Sequence, residues 1–309
     1  MTWFRKLSMY RITGAANFEI ETLEAAMATK PARKLADLEM KHYGFASPLP
    51  AQDGVESTIL AHPVAGAILV SAVCNFRQIP GDAVKDELNS RIAVIEREQS
   101  RKVRGKERAD LKDLVIQHLM PRVLPKQKRT TALILPAQNL ILVNTTKAAD
   151  AEDLLSSLRE VMGSLPVRPL TTVDAPSAVM TGWLRDKESM PENFFTLGDA
   201  LLVGDEKSRA QLKDMDMAGE EVLMHLTSGM SVSNLLLAFG DQFSYRLSDK
   251  LQIEQIRFED VIMQDAKTSA GDDVSQTFDA SLTIMIGTFT KFIGELTQAF
   301  GGEPDHQSI

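Results

Sequence analysis

The amino-acid sequence predicts an α+β protein in which mixed antiparallel sheets pack against helices and a basic helical segment projects from them. Three observations carry this expectation. Hydrophobic residues make up 44% of the 309 positions and charged residues 25%, a globular balance that excludes bulk disorder. Apolar periodicity switches repeatedly between two and 3.6 residues, so strands and helices are interspersed. Ten lysines and arginines fall between Arg101 and Thr130 against three acids, Glu107, Asp110 and Asp113, although the whole chain carries a formal charge of −8. Outside that window 24 basic residues face 39 acidic ones, which leaves −15 on the remainder. A chain of this length exceeds one ordinary core. The expected units are a central α+β domain of 1–76 with 131–180, an amphipathic helical segment with a basic connection at 77–130, and a C-terminal α+β domain at 181–309.

Trp3 to Ile12 mixes aromatic, β-branched and polar residues in near alternation, which predicts a first strand with Trp3 or Phe4 turned into a core. A helix is expected over Glu21 to Thr29, followed by the proline- and glycine-rich loop "GFASPLPAQDG". "STILAHPV" and "GAILVSAVCNFRQI" predict two strands joined at Ala65 and Gly66, the second apolar on both faces and therefore buried on both. Val84, Leu88, Ile92 and Ile95 place one apolar stripe on a helix that runs to Lys102. Gly105 interrupts it, and Leu111, Leu114, Val115 and Leu119 mark a second helix ending at Pro121, which cannot continue the hydrogen-bond ladder. Two helices joined by a basic turn result. Pro121 and Pro125 are expected to hold Arg122, Lys126, Lys128 and Arg129 on a constrained, exposed connection.

"TTALILPAQNLILVNTT" predicts a hairpin. "DAEDLLSSLREVMG" has acids in its first turn, an apolar stripe through Leu154, Leu155, Leu158, Val161 and Met162, and Gly163 where a helix C-cap belongs. Beyond "SLPVRPLTT" the pattern is less legible, with Trp183, Phe194 and Phe195 as core candidates. "DMAGEEVLMHLTSG" reads as a helix and "QFSYRLSDKLQIEQIRFED" as a hairpin turning at Ser248 to Lys250. "TFDASLTIMIGTFTKFIGELTQAFGG" changes from period two to period 3.6 at Met285, which predicts a strand feeding a last helix striped by Phe289, Phe292, Ile293 and Leu296.

No stretch of about 18 uninterrupted apolar residues occurs, and the N-terminus lacks an apolar core of signal-peptide length, so a soluble cytosolic protein without a membrane partner is expected. Cys74, within "AILVSAVCNF", is expected to be a buried thiol acting as a small hydrophobe. One cysteine builds neither a disulfide framework nor a cysteine-based zinc site. His42, His62, His118, His225 and His306 are scattered without metal-ligand spacing, and no Walker, GxSxG or GxGxxG pattern is present. The acid pairs Glu220/Glu221, Glu259/Asp260 and Asp272/Asp273 could hold Mg²⁺, but adjacent side chains diverge on strands and helices alike. No catalytic residue, metal or cofactor is expected.

A basic strip gains affinity for duplex DNA because each phosphate it neutralises releases condensed counterions. Arg101, Lys102, Arg104, Lys106, Arg122, Lys126, Lys128 and Arg129 are the candidates. Their acids are few at helical spacing, which argues against a hairpin whose cations are paired elsewhere in the chain. No helix-turn-helix or zinc finger is present to read bases, and no aromatic residue lies between Arg77 and Thr130 to stack on single strands. Duplex DNA is the expected partner, with single strands second. Two copies facing each other in a symmetric dimer would line a positive channel and keep the acidic exterior away from DNA.

"MTWFRKLSMYRI", "DLKDLVIQHLMPRVLPK", "AEDLLSSLREVMGSLPVRPL" and "FDASLTIMIGTFTKFIGELTQAFGGE" together resemble the bacterial RdgC family of recombination-associated proteins, in the same order over nearly the whole length. The resemblance implies a nucleoid-associated, ring-shaped homodimer whose basic central hole admits a duplex. It further implies DNA binding with little sequence preference, and restraint of recombination by limiting access of the RecA recombinase to DNA. It attaches no catalytic reaction. It sets Met120, Pro121, Arg122, Val123 and Leu124 on a family segment whose aromatic is replaced here by Leu124, so that an aliphatic side chain makes the subunit contact. Lys213, ahead of Glu220 and Glu221, falls on a second such segment and is the other expected contact. The expected function is therefore non-enzymatic, sequence-independent encirclement of duplex DNA. The rivals are direct contact with the recombinase, with incidental DNA binding, and a metal-dependent nuclease.

Overall fold

A computed structural model describes residues 3–51, 54–205, 208–264 and 274–304. The first sheet contains β1 (Ser8–Ile12), β2 (Lys41–Phe45), β3 (Ala61–Val64), β4 (Ala67–Phe76), β5 (Lys126–Leu135), β6 (Leu140–Val143) and β7 (Val167–Pro169). Its order is β2-β4-β5-β6-β1-β7, and β3 shares the β2 edge of β4. All pairings are antiparallel. Residue alternation sends Leu69, Leu133, Leu135, Leu140 and Leu142 to one face and Ile68, Val70, Ala132, Ile134, Ile141 and Val143 to the other. The second face is covered by α1 (Ile20–Met27) and α4 (Ala148–Met162), which bury Leu23, Met27, Leu154, Leu155 and Leu158 there. β4 is buried on both faces, as its unbroken apolar run requires.

The second sheet, in the order β12-β11-β10-β8-β9, is built from β8 (Phe194–Val203), β9 (Arg209–Leu212), β10 (Ser231–Phe239), β11 (Phe243–Ser248) and β12 (Ile253–Phe258). α5 (Pro176–Arg185), α6 (Glu220–Thr227) and the C-terminal helix α7 (Val274–Ala299) accompany it. One hydrophobic cluster joins the open face of the first sheet, the inner face of the second and the apolar side of α7. Phe4 contacts α7 through Phe289 at 6.4 Å between ring centroids, and His62 on β3 bonds Asp279 of α7 at 2.7 Å. On the second sheet Phe292 meets Phe239, Phe243 and Tyr245 edge-on at 5.1, 5.0 and 4.8 Å, the arrangement that aromatic quadrupoles favour.

Several expectations need correction. The stretch before Met285 is helix, not strand: Phe278, Leu282, Met285 and Ile286 fall at positions i, i+4, i+7 and i+8 and are all buried. A helix packed over much of its circumference has apolar residues at many adjacent positions, and these imitate alternation locally. Phe194 and Trp183 are core residues, but Phe195 is 50% exposed because successive strand residues face opposite ways. Residues 41–45, which carry no clear strand pattern, form β2 along β4. The first strand begins at Ser8, not Trp3. Ahead of it, Leu7 and Ile253 exchange backbone hydrogen bonds of 2.8 and 3.1 Å, so the chain leaves the second sheet as it enters the first.

Gly44 shows how tightly β2 is seated. A Cβ at this position would lie 2.4 Å from the Pro31 carbonyl oxygen, because Ala32 and Phe45 bond across the same gap at 2.7 Å. Gly44→Ala is expected to cost about 1–3 kcal/mol by overpacking, read as a lower denaturant midpoint. An unchanged midpoint would mean that β2 can move off the 30–32 segment freely. Among the described residues no helix is long and apolar enough to cross a membrane.

Candidate nucleic-acid interface

The basic segment is a helical hairpin of α2 (Gly81–Gln99) and α3 (Gly105–Leu119). It leaves the first sheet after Phe76 and returns at Lys126, two residues that pair directly in the β4–β5 ladder. Val84, Leu88, Ile92, Val103 and Val115 form a small core of their own, separate from the two larger clusters. Ser100 in the left-handed region (φ 49°) ends α2, and Gly105 (φ 55°) opens α3 after a short turn. At 1.5 Å per residue α2 is about 28 Å long. The eight candidate cations therefore separate into Arg101, Lys102, Arg104 and Lys106 at the tip and Arg122, Lys126, Lys128 and Arg129 at the base.

At the tip, Arg101 forks onto Glu107 with bonds of 2.6 and 2.5 Å, and Lys102 reaches Glu96 at 2.7 Å. Glu96 also accepts the Val103 amide at 3.1 Å. The bond from Lys102, then the Val103 amide, hold its carboxyl below the usual range, with the Arg104 charge helping; Arg101 does the same to Glu107. The expectation of few acid partners is thus corrected for Arg101 and Lys102. Their acids lie six residues away across the turn, where no helical-spacing rule finds them. Arg104 and Lys106 are exposed and form no ion pair among the described residues.

At the base the expected connection is mostly a strand. β5 begins at Lys126, so only Arg122 remains on the connection, in a 3-10 turn over Met120–Arg122. Pro125 ends the irregular stretch, and pairing with β4 takes over. Alternation then turns Lys126 and Lys128 toward the α4 side of the sheet and Arg129 toward the opposite side. Lys128 is paired with Asp150 of α4, and Lys41 with Asp153 beside it at 2.9 Å. Arg129 donates to the Ser47 carbonyl and to Ser71 Oγ, and Lys126 donates to Gln78 at 2.9 Å. The eight residues do not form one continuous strip.

Two cations left out of the candidate set, Arg108 and Lys112, stand exposed one turn apart on α3 without an ion pair among the described residues. Their spacing of four was the signal that could have selected them. Leu124, 85% exposed, is the most exposed large hydrophobic side chain described, and Leu114 and Val94 of the hairpin are 53% and 47% exposed. Lys213 is exposed just beyond β9. Cys74 is only half-buried; burial pushes its thiol up while Lys41 and Lys128 act the other way.

The acid pairs Glu220/Glu221 and Glu259/Asp260 are exposed, and Asp272/Asp273 lie outside the described residues, as does His306. Among the described residues no three of His, Cys, Asp and Glu gather as metal ligands.

Residues 2–303 match the family described as "Putative exonuclease, RdgC". Over 309 residues the chain is 42% identical to the recombination-associated protein RdgC of Pseudomonas syringae pv. syringae (strain B728a), covering 99% of this chain and 100% of that one. The proteins of the same name from Pseudomonas entomophila (strain L48) and Pseudomonas aeruginosa (strain LESB58) are 41% and 40% identical with the same coverage. The family description names a nuclease, whereas the relatives are named for recombination. With a match running from residue 2 to residue 303 and relatives covered from end to end, the chain belongs to the RdgC family of recombination-associated proteins.

Proposed function

We propose that this chain is a non-enzymatic, sequence-independent DNA-binding protein that encircles duplex DNA as a homodimer and restrains RecA-mediated recombination on the nucleoid. The observation that carries this reading is the hairpin itself, a separate helical arm that bears Arg104, Lys106, Arg108 and Lys112 without ion pairs among the described residues, in an otherwise acidic chain. Phosphates can take up these cations directly. Arg101 and Lys102 can exchange an exposed carboxylate for a phosphate, since solvent-exposed ion pairs are weak. Two copies related by a two-fold axis set two such arms around one duplex, and the acidic remainder disfavours contact elsewhere. Leu124, next to Arg122, is the apolar contact for the second copy, with Lys213 at the other, and obstruction of the duplex is what limits the recombinase.

The test combines molecular mass in solution with retention on closed circular and linear duplex at rising salt. A dimer that stays on circles at salt concentrations that strip it from linear DNA supports encirclement. A monomer, or equal release from both, overturns it. The family description favours a nuclease as the second reading; intact strands after incubation with Mg²⁺ or Mn²⁺ dispose of it. Inhibition of strand exchange by a variant that no longer binds DNA would instead favour direct contact with the recombinase.

A further inference from the structure

We propose that the groove between the N-terminal segment and β12 is a second nucleic-acid site, selective for single strands, in which Arg5, Lys6 and Arg257 hold phosphates and Trp3 stacks on an unpaired base. The inference rests on the DNA-binding reading but concerns a surface outside the hairpin. Trp3, Arg5, Lys6, Gln255, Arg257 and Phe258 line a cavity of about 580 Å³ with no acid among its described lining residues. Arg5, Lys6 and Arg257 are exposed, and none forms an ion pair among the described residues.

The groove is built rather than incidental. Asn144 Oδ1 accepts the Arg5 and Lys6 amides at 3.2 and 3.3 Å, while the Ile256 amide donates to the Arg5 carbonyl at 3.0 Å. The backbone beneath the two cations is therefore clamped from both sides, and their side chains have no hydrogen-bond or ion-pair partner among the described residues. Gln255 adopts φ 54° where the β11–β12 register shifts. A bulge of this kind bends a strand and re-aims its side chains, and it disfavours any residue that carries a Cβ. Trp3 rests on Phe258 with ring centroids 4.5 Å apart, and Phe258 is buried behind it. The indole is braced on one side and faces the groove on the other.

Single strands suit this arrangement better than duplex. The hairpin offers cations without aromatics and so favours phosphates alone, whereas the groove offers both a π-face and cations. A duplex keeps its bases stacked and cannot deliver one to a half-buried indole, but a single strand can.

The chain has two tryptophans, Trp3 and the buried Trp183, so quenching of intrinsic fluorescence by a short oligothymidylate reports on Trp3. Affinities for the labelled oligomer and for a short duplex are then compared by anisotropy in the full chain. Arg5→Glu with Arg257→Glu is expected to weaken oligothymidylate binding about tenfold or more, because phosphates are then repelled, with duplex binding changed less than about twofold. Trp3→Leu, which leaves the charges, is expected to cost about tenfold on the single strand alone. Arg108→Ala with Lys112→Ala should show the reverse preference. Oligothymidylate affinity unchanged in the groove variants overturns the site while leaving the duplex reading intact. Equal losses on both ligands overturn the single-strand assignment. A wild-type chain that binds neither ligand removes both readings.

Discussion

Alanine at Arg108, Lys112 and Arg122 together is expected to weaken duplex binding by about 100-fold and to lower the slope of log affinity against log salt by about one for each phosphate no longer neutralised. Alanine at Arg101, Lys102 and Lys128 removes the same formal charge but is expected to cost less, about tenfold, since a phosphate reaches those cations only by displacing the carboxylates they already hold. Glu107, Glu96 and Asp150 are the competitors. The comparison isolates placement from net charge, which both triple variants change equally. Salt titrations on unrelated duplex sequences read it out, and the weakening should be uniform across sequences. Equal weakening in the two variants would mean that total charge, not the free face of α3 and its exit turn, governs binding.

Phe292→Ala is expected to cost about 3–5 kcal/mol, the usual range for deleting a buried phenyl group that its neighbours cannot refill. Phe292 is 0% exposed and contacts rings of β8, β10 and β11 from α7. Because α7 belongs to the cluster that joins both sheets, the substitution should lower a single cooperative urea transition. Two separated transitions would show that the sheets are coupled less tightly than this shared core implies. Phe195→Ala, at an aromatic of β8 that is 50% exposed, is expected to shift stability by no more than about 0.5 kcal/mol.

The legible parts of the fold are those in which one period dominates. α4 combines a single apolar stripe with Gly163 at φ 78°, and the hairpins at 136–138 and 248–250 carry clear turn residues. β2 is hard to see in the sequence because it is short, lies at an edge and contains Gly44. The first half of α7 imitates a strand because burial on many sides removes the contrast that periodicity needs. In the candidate site, the position of the hairpin is legible and the state of its charges is not. Lys126, Lys128 and Arg129 look contiguous in the chain, yet pairing with β4 sends them to opposite sides of a sheet.

The family was determined by sequence alone from blocks in order along the whole chain, and so were most of the local elements and the concentration of positive charge in one segment, since these depend on residues adjacent in the chain or one helical turn apart. Tertiary structure decided which of those charges remain free. Lys128 meets a carboxylate 22 residues away on α4, Arg101 meets one across a turn, and Arg5 lies beside Arg257 only because the segment that enters β1 bonds to β12. Coulomb interactions depend on distance in space, and folding sets that distance independently of separation along the chain.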